Sequence, residues 1–90
     1  MQDGADAAAV NPHSESPASV LDVKGLSCPM PVVKTRKAID GIAIGQILEV
    51  LATDPGSMAD FRAWTKHTGH ELLLAEERGD TFVYRIRRAK

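Results

Sequence analysis

Cys28 is the one cysteine of this chain, and Pro29, Met30 and Pro31 follow it at once. A lone thiol closes no internal disulfide and cannot build a four-cysteine zinc site. Set before two prolines, it suggests a sulfur that does chemistry through the thiolate. The prolines say where that thiolate would stand. Pro29 fits the first position of a helix, where an N–H has no partner, and Pro31 still falls in the first turn. Cys28 is therefore expected at the mouth of a helix, where unpaired N–H groups and the macrodipole favour an anion. The prolines remove two donors and leave chiefly the Met30 N–H to reach the sulfur. An unperturbed thiol with a pKa near 8.5 is only about 3% thiolate at pH 7. The expectation is a moderately lowered pKa and an accessible sulfur, with Lys34 and Arg36 adding weak positive potential from one to two turns on.

Two other roles are open to Cys28. Burial in the core is a common fate for cysteine, but a core cysteine needs no rigid loop in front of a helix. A Cys–His hydrolase needs an oriented base and an oxyanion hole. The available histidines, His67 and His70, are expected at the far end of the second helix from Cys28, so triad chemistry fits poorly.

The elements that must position Cys28 are legible from patterning. Residues 1–18 are rich in Ala, Ser, Asp and Pro, with Val10 the single aliphatic residue larger than alanine after Met1. Such a segment offers too little apolar surface to offset its ordering entropy and reads as a disordered tail. From Ser19 the pattern changes, and residues 19–90 read as one domain. Val20–Lys24 forms a short strand ended by Gly25, and Leu26-Ser27-Cys28 a loop. A helix then runs to Ile39 with Val32, Thr35 and Ile39 on one face, Lys34 and Lys37 opposite with Met30, and Gly41 as its cap. Gln46–Thr53 is an aliphatic strand. Asp54-Pro55-Gly56-Ser57 starts a second helix, with either Asp54 or Ser57 as its cap, the latter in a box with Asp60. Met58, Phe61, Trp64, Thr65 and Thr68 make its semi-apolar stripe, and Gly69 ends it. His70–Glu77 and Thr81–Arg88 are strands joined by Arg78-Gly79-Asp80. Phe82, Tyr84 and Ile86 share one face of the last strand, Arg85 and Arg87 the other.

The order βαβαββ predicts an α/β two-layer sandwich, a mixed four-stranded sheet with both helices on one face. The opposite sheet face lacks a cover within the chain and must be solvated or meet a partner. No apolar run approaches the roughly 20 residues that span a bilayer. Met1–Ser19 has neither Lys nor Arg nor an apolar core stretch, so it does not read as a signal peptide. A single cysteine then makes a reducing cytoplasm the expected compartment. A formal net charge of −1 argues against direct nucleic-acid binding through counterion release.

Asp22-x-x-Gly25-Leu26-x-Cys28-Pro29-x-Pro31 resembles the signature of the TusA/SirA family of small sulfur-carrier proteins. The aliphatic second strand leading into Thr53-Asp54-Pro55 and the closing hairpin are similar to that family too, so the resemblance covers residues 19–90. It implies a fold related to the C-terminal domain of translation initiation factor three. It also implies a persulfide relay, in which Cys28 accepts a sulfane sulfur from a cysteine desulfurase or rhodanese-like donor and hands it to a downstream protein thiol. The end uses known in the family are tRNA thiolation, molybdenum-cofactor supply and dissimilatory sulfur trafficking. Gly25, Leu26, Pro29 and Pro31 would support the loop, and Met30 occupies the motif's variable position. A single cysteine suits such a relay, because no resolving thiol discharges the persulfide internally.

Lys34, Arg36 and Lys37, with Asp54 at the same sheet edge, form a candidate docking surface for a partner, the alternative being a solvated helix face. His67 and His70 have metal-like spacing, but Gly69 breaks the helix between them and no further ligand joins them, so neither a metal nor a cofactor is expected. Arg85, Arg87, Arg88 and Lys90 read as an ordinary solvated strand. The alternative function is a regulatory or interaction module that uses the same fold without sulfur chemistry.

Overall fold

The computed structural model describes residues 16–90. The expected tail lies outside that range except for its last three residues, of which Ala18 donates its N–H to the Ile47 carbonyl at 2.8 Å. The elements are β1 (Ser19–Asp22), α1 (Met30–Ile39), β2 (Ile47–Ala52), α2 (Ser57–Thr68), β3 (Glu71–Arg78) and β4 (Thr81–Arg87). The sheet runs β1-β2-β4-β3, with β1 parallel to β2 and β4 antiparallel to both its neighbours. This is the expected mixed sheet in βαβαββ order. No helix among the described residues is long and apolar enough to cross a membrane.

Strand alternation decides which face the helices cover. Leu48 pairs with Ile86, Val50 with Tyr84 and Ala52 with Phe82, and all six meet Ile39 of α1 and Phe61 of α2 in one apolar cluster. Both helices therefore lie on that face. The opposite face is helix-free but not bare. Ile47, Val83 and Leu74 are 1%, 6% and 9% exposed there. Among them runs the Glu49–Arg85 ion pair, 2.8 Å between Oε1 and Nε. That face was expected to be solvated or to meet a partner; these three apolar side chains are buried within it.

Three local expectations are corrected. First, α1 begins at Met30, with Pro29 as its N-cap and Pro31 inside the first turn. Its buried side chains are Pro31, Thr35 and Ile39, with Val32 only half-buried. Second, neither proposed cap closes α2. Gly56 is the N-cap and no side chain bonds there. The Ser57 hydroxyl instead meets the Tyr84 phenol at 2.6 Å. A phenol buried this deeply must find a partner, and that need outweighs a cap that water can replace. Third, Arg88 is no solvated strand residue. Its guanidinium donates to the Ile42 carbonyl at 2.5 Å and the Asp40 carbonyl at 3.4 Å. It thereby braces the chain just beyond the end of α1 by donating to carbonyls there.

The Ser57–Tyr84 bond yields a test. Tyr84→Phe leaves the buried Ser57 hydroxyl without its partner and should cost about 1–2 kcal/mol in denaturant unfolding. Thiol reactivity should not change, because neither residue lines the surface beside Cys28.

Candidate functional site around Cys28

The loop before Cys28 is tied down at nearly every residue. Val23 donates to the Leu51 carbonyl at 2.8 Å, and Leu26 to Val23 at 3.2 Å. The Asp22 carboxylate accepts the Lys24 N–H at 2.9 Å. Gly25 turns the chain at φ +85°, the left-handed region that glycine enters without a Cβ penalty. Its N–H donates to the Thr53 hydroxyl at 2.9 Å, anchoring the loop to the end of β2. Leu26 packs against the core cluster. The Cys28–Pro29 bond is cis, and Pro29 and Pro31 open α1. The motif residues thus act as a rigid bracket that presents Cys28 at the surface, where it is free and exposed.

The bracket does not act on the sulfur as expected. The Met30 N–H, the one donor left for it, goes to the Ser27 carbonyl at 2.9 Å. The groups that bear on the thiol come from α2 and the turn before it. Cys28, Pro29 and Val32 form one wall of a cleft of about 380 Å³ whose other wall is Asp60, Ala63, Trp64 and His67. Those four recur at helical spacing, one stripe over two turns of α2. Trp64 is held edge-on against Phe61, centroids 6.4 Å apart, and lies 5.5 Å from the His70 ring.

The electrostatics reverse the expectation of a lowered pKa. The Cys28 thiol is pushed up, first by the hydrogen bond its S–H offers the Asp60 carboxylate, then by desolvation and by the charges of Asp60 and Asp54. The second helix and the turn before it bring two carboxylates to the same edge, and their negative charge favours the protonated thiol. One oxygen of Asp54 is buried with no hydrogen-bond partner among the described residues. Lys34, Arg36 and Lys37 are exposed on α1, and they are absent from the groups that shift the thiol. Met30 and Val33, 39% and 40% exposed, add apolar surface one turn apart beside Lys34 and Lys37.

A pH profile follows directly. Alkylation of Cys28 by iodoacetamide should have its midpoint above that of free cysteine, because the acidic neighbours favour the protonated form. A midpoint below free cysteine would mean that the helix mouth dominates after all.

His67 was expected far from Cys28, and it shares the cleft with it, at the other end of the stripe. His70 is occupied elsewhere, its Nδ1 accepting the Ala89 N–H at 3.0 Å. The two histidines therefore diverge in use. Among the described residues no group of three or more His, Cys, Asp and Glu side chains is placed to hold a metal ion.

Comparison with known proteins gives the family and the fold. The family model described as "Sulfurtransferase TusA" matches residues 19–88. A candidate sulfur carrier protein of Halobacterium salinarum is 58% identical over 71 residues, covering 78% of this chain and 88% of that protein. The sulfur carrier protein TusA of Allochromatium vinosum is 44% identical over 69 residues, 77% of this chain and 91% of the relative. A crystal structure of a SirA-like protein from Desulfitobacterium hafniense superposes with a TM-score of 0.70 at 20% identity, over 80% of this chain and 99% of the other, and shows the same fold. A lone exposed cysteine on a bracketed loop, this fold and these relatives lead to one assignment: the chain belongs to the TusA sulfurtransferase family.

Proposed function

We propose that residues 19–90 are a sulfur-carrier domain that holds one sulfane sulfur as a persulfide on Cys28 and relays it to a protein thiol. The observation that carries this reading is the exposed single cysteine on a loop braced by Gly25 and Leu26 and followed by Pro29 and Pro31. In loading, the Cys28 thiolate attacks the terminal sulfur of a donor persulfide. A new S–S bond forms on Cys28, the donor's S–S bond breaks, and the departing donor thiolate takes up the proton that Cys28 gave up. Delivery is the same exchange run towards an acceptor thiol. No external oxidant or reductant is needed, and no metal or organic cofactor takes part.

The natural partners are a cysteine desulfurase or rhodanese-like donor and a downstream acceptor protein, meeting in a reducing cytoplasm. Onward use in tRNA thiolation, molybdenum-cofactor supply or dissimilatory sulfur trafficking is decided by that acceptor. Support for docking comes from the exposed α1 surface, where Met30 lies beside Lys34 and Lys37, with Arg36 on the same helix. Asp54 stands in the turn before α2 and acts on the thiol. Membrane and direct nucleic-acid roles are not part of the proposal.

Differential alkylation tests it. After incubation with polysulfide, a label placed on a persulfide is cleaved off by DTT, whereas a label on the thiol stays. Loss of the label from Cys28 is the expected result. A DTT-resistant label after every donor would favour an interaction module without sulfur chemistry.

A further inference from the structure

We infer that the cleft between α1 and α2 selects a partner segment that presents a lysine or arginine side chain beside its own reactive sulfur, which the Asp60 carboxylate receives. The inference rests on the sulfur-relay reading of the same site and adds the chemistry by which a partner is chosen. Three observations carry it. The cleft is elongated, running from Asp60 to His67 along α2, about 10 Å at 1.5 Å per residue. Its walls between those ends are apolar, formed by Pro29, Val32, Ala63 and Trp64. At the Cys28 end the charge is negative, from Asp60 with Asp54 behind it, while the basic residues of α1 sit outside the lining. A short extended or helical segment fits that shape, and a cation at its sulfur-bearing end meets Asp60.

The consequence for reactivity is specific. An unoccupied site keeps the sulfur as a thiol, less prone to attack passing electrophiles. A cation docked against Asp60 neutralises the group that favours the protonated form and frees the thiolate while the partner's sulfur is in place. An anionic partner would meet repulsion at the reacting atom itself. His67, at the remote end, is too far along the stripe to compensate.

Small symmetric disulfides of different charge test this without requiring any sulfur to be carried, so it can fail separately from the relay reading. Cystamine is cationic, hydroxyethyl disulfide neutral and dithiodiglycolate anionic. In each reaction the Cys28 thiolate attacks one sulfur, the S–S bond breaks and one thiolate leaves, counted by intact mass. With probe charge and carboxylate about 6 Å apart in a medium near water's dielectric, each sign shifts the rate about threefold, so cystamine should outpace dithiodiglycolate about tenfold at low salt. Asp60→Asn should cut that ratio to about threefold or less, raise the rate with the neutral disulfide, and leave the circular dichroism spectrum unchanged. Added salt should shrink the wild-type ratio in the same direction. A ratio near one in the wild type, or one that Asp60→Asn leaves intact, overturns the inference. Asp54→Asn, which alters a more remote charge, should reduce the ratio less than Asp60→Asn does; the reverse order also overturns it.

Discussion

Cys28→Ser should abolish sulfur loading completely while leaving the domain folded. The side chain is exposed and takes no part in the apolar cluster, so stability should stay within about 0.5 kcal/mol of wild type, as for other surface changes. The loop bracket does not depend on the sulfur either. Its bonds run from Gly25 to Thr53, from Leu26 to Val23 and from Met30 to Ser27. A serine hydroxyl has neither the acidity nor the affinity for sulfur to form the exchange intermediate. Equal thermal unfolding with zero loading separates loss of the nucleophile from loss of the fold. Retained loading in the variant would place the sulfur somewhere other than Cys28.

The second large effect is structural. Phe61→Ala should cost about 3–5 kcal/mol, a large part of the 5–15 kcal/mol expected of a whole domain. Phe61 is fully buried. It stacks against Tyr84 with centroids 4.4 Å apart and supports Trp64 edge-on. Losing it opens a cavity and frees the aromatic wall that faces Cys28 across the cleft. Urea unfolding should show the midpoint falling sharply, and the charge preference among small disulfides should weaken even where the domain remains folded. A midpoint shift equivalent to less than about 1 kcal/mol would mean that the helix–sheet interface is looser than this packing implies.

The elements were legible because each follows a short-range rule. The aliphatic run Ile47-Leu48-Glu49-Val50-Leu51 marks a strand buried on both faces, the alternation of Phe82, Tyr84 and Ile86 with Arg85 and Arg87 marks the last strand, and the order of the elements gives the mixed sheet. Cys28 was legible as the one thiol in front of two prolines. The rest depends on contacts between segments distant in sequence. Ser57 reads as a cap until the chain folds and Tyr84 claims it. Arg88 reads as solvated until α1 ends beside it. Asp60 is the chief omission, taken only as part of a capping box. The stripe Asp60, Ala63, Trp64 and His67 is visible on a helical wheel, but Trp64 was assigned to the core stripe with Phe61 and Thr65. That choice hid the second face of α2, which turns towards the thiol. The sign of the pKa shift was lost with it, because a helix mouth judged in isolation omits the carboxylates of its neighbour.

Whether one sulfur resides on Cys28 is read from the intact mass of the protein. Reduced protein is incubated with a cysteine desulfurase and cysteine, or with polysulfide, beside a Cys28→Ser control. A gain of one sulfur atom, reversed by DTT and absent from the control, is expected. No gain from any donor, in protein whose Cys28 still alkylates, would contradict it.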